Sequence, residues 1–161
     1  MRVPHSIHSI KAGVIGTGFI GPVHVEALRR LGIAVTAICD VADLGAKAAA
    51  RLAIPHAFAD YRELLASPEV DVVHITTPNR FHCEMSLAAL RAGKHVVCEK
   101  PLAMNTRETA RMVEASRAVG RVFAVNYNVR FYPAVLAMRR LVAGGELGDI
   151  IHVNGSYMQD W

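Results

Sequence analysis

Three glycines set the chemistry this chain can do. They stand in Gly16-Thr17-Gly18-Phe19-Ile20-Gly21, a G-x-G-x-x-G turn. The apolar run Ile10–Ile15 precedes it, and a stretch with helical spacing follows, with Ile20, Val23, Ala27, Leu28 and Leu31 on its stripe. In a strand–turn–helix context each glycine has a physical use. Gly16 permits a tight turn, Gly18 lets a pyrophosphate approach the backbone, and Gly21 lets the helix pack closely on the strand. The helix start then offers free N–H groups and a positive dipole end to phosphates. A second apolar run, Ile33–Cys39, ends in Asp40, 24 positions after Gly16. That is close to the ~20-residue offset at which a carboxylate accepts hydrogen bonds from an adenosine ribose. Val41 follows Asp40, with no arginine beside it to receive a 2′-phosphate. The pattern therefore predicts NAD in preference to NADP. Asp40 also suits the N-cap of a helix over 42–52, and the two roles are compatible.

The elements that must position these residues alternate. Strands are expected at 10–15, 33–39, 57–58, 70–76, 95–98 and 122–126. Helices are expected between them, over 42–52, at 61–65, from Phe81 to Ala92 and from Asn105 to Val119. Asn105 with Glu108 resembles a capping box, and Gly93 and Gly120 close their helices. Such alternation implies right-handed crossovers and a Rossmann-type doubly wound parallel sheet, an α/β fold. Ligands of such sheets lie beyond the carboxyl ends of the strands. The polar residues at those ends are Thr17, Asp40, Thr76, Thr77, Asn79, Glu99, Lys100, Asn126 and Asn128, and they are expected to face one crevice. After Asn128 the pattern changes to an amphipathic helix (Phe131, Ala134, Val135, Met138, Leu141, Val142) and a strand over 150–158. The expected organisation is a dinucleotide-binding domain over 1–126. Residues 127–161 would supply only the entry helix and first strand of a second α+β domain.

The 161 residues suffice for one ordinary domain with a buried core. Apolar residues make up 52%, which suits strands covered on both faces. No apolar run approaches the ~20 residues that span a bilayer, and the first ten lack a signal-peptide core. They read as a disordered lead-in, and the default location is cytoplasmic. The net charge of +4 is spread out, without the aromatic-interleaved basic stripe of a nucleic-acid binder. Cys39, Cys83 and Cys98 have no C-x-x-C spacing, so neither zinc nor a disulfide framework is expected. His24 falls on a helix's apolar face and His74 within a strand, and both read as packed core histidines. His5, His8, His56, His95 and His152 carry no motif and suggest no metal site.

The glycine turn, Thr76-Thr77-Pro78-Asn79 with His82, and Ala92-Gly93-Lys94-His95-Val96-Val97-Cys98-Glu99-Lys100-Pro101 together resemble the glucose–fructose oxidoreductase / inositol dehydrogenase (Gfo/Idh/MocA) family. Asn128-x-Arg130-x-Tyr132-Pro133, Gly145-Glu146-Leu147-Gly148 and Tyr157-x-Gln159-Asp160-Trp161 extend the likeness. The resemblance implies hydride transfer between NAD and a sugar or cyclic polyol. Lys100 is then the catalytic residue, beside the nicotinamide and the reacting hydroxyl. Thr77, Pro78, Asn79, His82, Glu99 and Lys100 join Gly16, Gly18, Phe19, Ile20, Gly21 and Asp40 around the cofactor. Asn128 and Arg130, with Lys100, contact substrate, and Trp161 lies near the nicotinamide end of the cleft. Each has a plainer reading. Lys100 suits an exposed loop and Glu99 an ion pair with a nearby Arg or Lys. Asn79 suits a helix cap, and His82 a partly exposed surface site. Pro101 holds Lys100 extended, with either peptide isomer open. Family members are longer than this chain, and their second domain carries a catalytic histidine and makes the oligomer. The chain is therefore expected to be the cofactor-binding part, inactive alone, of a protein that is a homo-oligomer in full-length form. The rival function is a non-catalytic dinucleotide-binding sensor or regulator.

Overall fold

The computed structural model describes residues 6–158. Pro4, His5 and Gln159 to Trp161 lie outside the described residues. The chain divides into two compact units, the first ending at Asn126 and the second beginning at Tyr127. The first unit holds six strands: β1 (Lys11–Ile15), β2 (Ala34–Cys39), β3 (His56–Phe58), β4 (Val72–Ile75), β5 (His95–Glu99) and β6 (Phe123–Asn126). All pair in parallel, in the spatial order β3-β2-β1-β4-β5-β6. Helices α1 (Gly21–Arg30), α2 (Leu44–Leu52), α3 (Tyr61–Ala66), α4 (His82–Arg91) and α5 (Thr106–Val119) make the crossovers. The strand order reverses between β1 and β4, which marks where an open α/β sheet takes its ligand.

Alternation along the strands builds two cores. Ala12 and Val14 of β1 pack with Val25, Leu28, Val35, Ile38 and Ala48 on one face. Ile15 packs with Leu64, Val73, Ile75, Leu90 and Val96 on the other. Burial on both faces requires apolar residues at successive positions, and this is why the strands read as continuous runs rather than alternating ones. Local chemistry ends the helices where the composition predicts. Asn105 Oδ1 accepts from the Glu108 N–H at 3.0 Å, and Glu108 Oε2 accepts from the Met104 N–H at 3.1 Å. Gly93 and Gly120 take positive φ, 75° and 61°, after α4 and α5.

Four expectations need correction. Residues 6–10 are not a disordered lead-in. Ser6 caps a 3-10 turn over Ile7–Ser9, and His8 Nδ1 lies 3.2 Å from the Gly32 carbonyl. The buried face of α1 is Gly21, His24, Val25 and Leu28, whereas Val23 and Leu31 are exposed. The inward position of a polar histidine rotates that face away from the stripe of highest hydrophobicity. Helix α2 begins at Leu44 rather than at 42, and its N-cap position is Asp43, not Asp40. The strand expected over 150–158 does not form, because a strand exists by pairing and no partner occurs among the described residues. The second unit is a 3-10 turn at Asn128–Phe131 and helix α6 (Pro133–Ala143). Its apolar residues Phe131, Met138 and Val142 are exposed.

The glycine turn is the tightest point of the fold. Gly16 has φ +99°, and a Cβ there would lie 2.8 Å from the Thr76 carbonyl and the Thr77 nitrogen. A Cβ on Gly21 would lie 2.3 Å from the Gly16 carbonyl oxygen, whereas one on Gly18 meets nothing within 4 Å. Gly21→Ala should therefore destabilise the chain by about 1–3 kcal/mol, the range of an overpacked site. Gly18→Ala should stay within about 0.5 kcal/mol of the parent. Urea denaturation of the two variants checks this, and equal midpoints would refute the close approach at Gly21.

Candidate functional site

The sheet's carboxyl edge carries the site. Gly16 donates its N–H to the Cys39 carbonyl at 2.8 Å, which ties the glycine turn to the end of β2. The buried Thr76 hydroxyl lies 2.7 Å from the Gly16 carbonyl oxygen and 3.0 Å from that of Ile15, which ties the turn to the end of β4. Thr76 thus builds the turn rather than facing a ligand. Helix α1 starts immediately afterwards, with Ile20 at the cap position and no side chain capping it. Its first N–H groups are left for another partner. Phe19, at the tip of the turn, is 93% exposed.

Asp40 closes the turn from the β2 side. Its Oδ2 accepts from the Thr17 N–H at 2.6 Å and from the Thr17 hydroxyl at 2.5 Å, and its Oδ1 accepts from the Val41 N–H at 2.7 Å. Asp40, Gly16, Thr77 and Pro78 line a cleft of about 580 Å³ together with Tyr61, Arg62, Arg80, Phe81 and Met85. The sequence reading missed these last five. Arginines do reach the cleft, but from α3 and from the 3-10 turn before α4, not from the neighbours of Asp40. Arg62 lies 3.4 Å from Asp60 and 3.3 Å from Glu84, both carboxylates. The signal that could have found this side is the short strand ending in Phe58 and then Asp60, a cap at the next carboxyl end.

His82 does not take the partly exposed surface site of its plainer reading. It is 1% exposed, with Nε2 at 2.8 Å from the Thr77 carbonyl oxygen and Nδ1 at 2.9 Å from that of Pro101. It therefore staples the turn after β4 to the loop after β5 and shapes the crevice from beneath. Asn79 caps neither helix: Pro78 precedes the 3-10 turn and Phe81 precedes α4. The Lys100–Pro101 peptide bond is cis. Lys100 is exposed, with its N–H 3.1 Å from Glu99 Oε2. Asn128 and Arg130 belong to the second unit, in its 3-10 turn, where the Arg130 guanidinium lies 5.7 Å from the centre of the Phe131 ring.

Among the described residues the ion-pair partner of Glu99 is His24, in place of the arginine or lysine of its plainer reading. Its buried Oε1 takes Asn126 Nδ2 at 2.5 Å and His24 Nε2 at 2.9 Å. His24 Nδ1 in turn lies 2.8 Å from His74 Nδ1. Burial alone would raise the Glu99 pKa, but the hydrogen bonds from Asn126, His24 and the Lys100 N–H outweigh it and hold the carboxyl below its ordinary value. Burial, and then the neighbouring His24, lower His74 from 6.5 to about 4. Burial is also the largest cause that pushes the thiols of Cys39 and Cys98 up to about 12, so both behave as small apolar groups.

Comparison with known proteins adds the following. Residues 10–127 match the model of the Gfo/Idh/MocA oxidoreductase family, with an NAD-binding Rossmann fold. The levoglucosan dehydrogenase of Pseudarthrobacter phenanthrenivorans is 34% identical over 96% of this chain and 42% of its own length. The inositol 2-dehydrogenase of Salmonella paratyphi B is 34% identical over 92% of this chain and 46% of its own. The crystal structure of scyllo-inositol dehydrogenase from Lactobacillus casei, with bound NAD(H) and scyllo-inositol, superposes with a TM-score of 0.81 at 26% identity. It covers 87% of this chain and 42% of that one. The chain thus spans less than half the length of these relatives.

The lowered His74 gives a stability prediction with a definite sign. The unfolded chain protonates this ring near 6.5 and the folded chain only near about 4. Between these values the unfolded state binds more protons, so stability falls as pH drops through that window, by up to roughly 3 kcal/mol in all. Urea midpoints at about pH 7 and about pH 4.5 read this out. His74→Phe should flatten that part of the profile, and an unchanged profile in the variant would refute the assignment.

Proposed function

We propose, from the premise that this chain belongs to the Gfo/Idh/MocA oxidoreductase family, that it binds NAD in the cleft at the sheet's carboxyl edge. The observation that carries the reading is one arrangement. An uncapped helix start and an unobstructed Gly18 lie beside a carboxylate already oriented by the glycine turn. The pyrophosphate meets the backbone N–H groups of the turn and α1. Asp40 accepts from the adenosine ribose and repels a 2′-phosphate. Thr77, Pro78 and Asn79 line the ribose and pyrophosphate side, with His82 holding their turn in place. Glu99 and Lys100 face the nicotinamide side.

Residues 1–126 act as the dinucleotide-binding domain, and 127–161 open a second domain that shapes the substrate pocket. Asn128 and Arg130 contribute to that pocket. In the whole protein a sugar or cyclic polyol is the hydride partner, the substrate class named in the relatives. The cofactor supplies the redox chemistry. Lys100 hydrogen-bonds the reacting oxygen and helps to carry its proton. The activity of this chain by itself is cofactor binding.

Fluorescence titration of the 161-residue chain with NADH and with NADPH tests the reading. Saturable binding with a preference for NADH of at least about tenfold is expected, equivalent to about 1.4 kcal/mol of repulsion at the 2′-phosphate. Asp40→Ala should narrow that gap. A preference for NADPH would overturn the role of Asp40, and binding of neither would overturn the cofactor reading.

A further inference from the structure

The hydrogen bonds beneath Glu99 form a directed chain that runs across three elements. His74 lies on β4, His24 on α1 and Glu99 at the end of β5, and β6 adds Asn126. Two of these contacts constrain the protons. The Glu99 carboxylate only accepts, so His24 Nε2 carries a proton and donates it. The contact between the two Nδ1 atoms, at 2.8 Å, needs one proton between them, neither none nor two. Two protonation levels satisfy both conditions, and at the higher level the charge is placed on His24, the ring in contact with the Glu99 carboxylate. In one, His74 Nδ1–H donates to His24, both rings are neutral, and His74 Nε2 is bare. In the other, His24 is an imidazolium that donates at both nitrogens, and His74 accepts at Nδ1 and carries its proton on Nε2. The states differ by a single proton. It enters or leaves at His74 Nε2, while the charge appears on His24 against Glu99. A second proton on the pair would break the Nδ1 contact, in keeping with the low value of His74.

We infer that His74, His24 and Glu99 form a proton-exchanging relay that sets the relative affinity of the site for the oxidised and reduced dinucleotide. The inference rests on the proposed cofactor site. With Asp40 holding the adenosine at the β2 end, the nicotinamide half falls to the β4–β6 side of the sheet, where Glu99 ends β5. Oxidised nicotinamide carries one positive charge that the reduced ring lacks. With the reduced ring, Glu99 is neutralised by the His24 imidazolium. With the oxidised ring, Glu99 faces the pyridinium, and the second positive charge beside it is expelled. The shared proton shifts from His24 Nδ1 to His74 Nδ1, and the His74 Nε2 proton leaves to solvent. Local charge is the same in both complexes, and no electron moves.

The groups recorded against His24 are His74 from β4, Glu99 from β5 and the neutral Asn126 from β6. Cys98, next to Glu99, keeps its thiol proton. Lys100 is exposed, and its recorded contact with Glu99 is through its backbone N–H. His24 and His74 are positioning residues here, since they act through Glu99.

Isothermal titration of this chain with NAD+ and with NADH, each in two buffers of different ionisation enthalpy, counts the protons exchanged. NAD+ binding should release up to one proton more than NADH binding. The ratio of the two affinities should shift toward NADH by up to about tenfold for each pH unit lowered, where the free relay holds its proton. In His24→Gln the amide still donates to Glu99 but cannot ionise, and in His74→Asn the exchange site is gone. Both variants should lose the proton difference and flatten the affinity ratio, whatever happens to the affinities themselves. An equal proton count for the two cofactors in the parent chain overturns the relay, and so does a difference that persists in both variants. If neither variant folds, the parent's buffer comparison decides. Binding of neither cofactor to the parent refutes the cofactor site and the relay with it.

Discussion

The Gly16 carbonyl oxygen is the point on which the rest of this fold depends. It accepts the Thr76 hydroxyl at 2.7 Å from the end of β4, and it stands where a Cβ of Gly21 would have to be. The same residue donates to Cys39 at the end of β2. Three strand ends and a helix start are thus brought within one residue's reach. The cost is a backbone that only glycine adopts easily, at φ +99°. The return is geometric. A helix start with no side-chain cap is held over the strand-order reversal, where the two halves of the sheet part.

The second constraint is electrostatic. Glu99 is buried at a strand end, and a buried carboxylate is costly unless donors surround it. Here three donors do so, His24 from α1, Asn126 from β6 and the N–H of Lys100, the next residue in the chain. That requirement explains the polar positions that look misplaced in an apolar interior. His24 faces inward on α1 because Glu99 needs it. His74 is accepted within β4 because His24 Nδ1 needs a partner. The buried face of α1 follows from that need and not from maximal hydrophobicity.

Much of the architecture was legible because its causes are local or periodic. Continuous apolar runs identify strands covered on both sides, and the Asn105–Glu108 pair identifies the start of α5. Two of the three glycines of the turn read correctly: Gly16 takes a φ of +99°, and a Cβ on Gly21 would meet the Gly16 carbonyl oxygen within the turn itself. Partnerships across the sheet were not legible. His24 and Glu99 are 75 positions apart, and nothing in either segment names the other. The same holds for His82, whose two carbonyl partners lie on different loops, and for Arg62 and Arg80 around the cleft. Over 150–158 the residue types favour a strand, yet the decisive quantity is a pairing partner, which composition does not contain.

On the proposed cofactor reading, Asp40 would combine a structural role and a binding role in one side chain. A carboxylate offers about four lone-pair sites. Thr17 and Val41 occupy three of them, so the group is oriented before any ligand arrives. One site remains for a ribose hydroxyl. On that reading, rotation of the Thr17 hydroxyl would free a second ribose contact, with the Thr17 and Val41 N–H groups still holding the carboxylate. The turn therefore does not have to open for a nucleoside to bind, and the entropy of orienting the acceptor has already been met in folding. Substituting alanine for Thr17 would test a different quantity from removing Asp40, because it frees an acceptor site while loosening the group that bears it. The balance between those two effects decides how strongly the turn itself contributes to recognising the ribose.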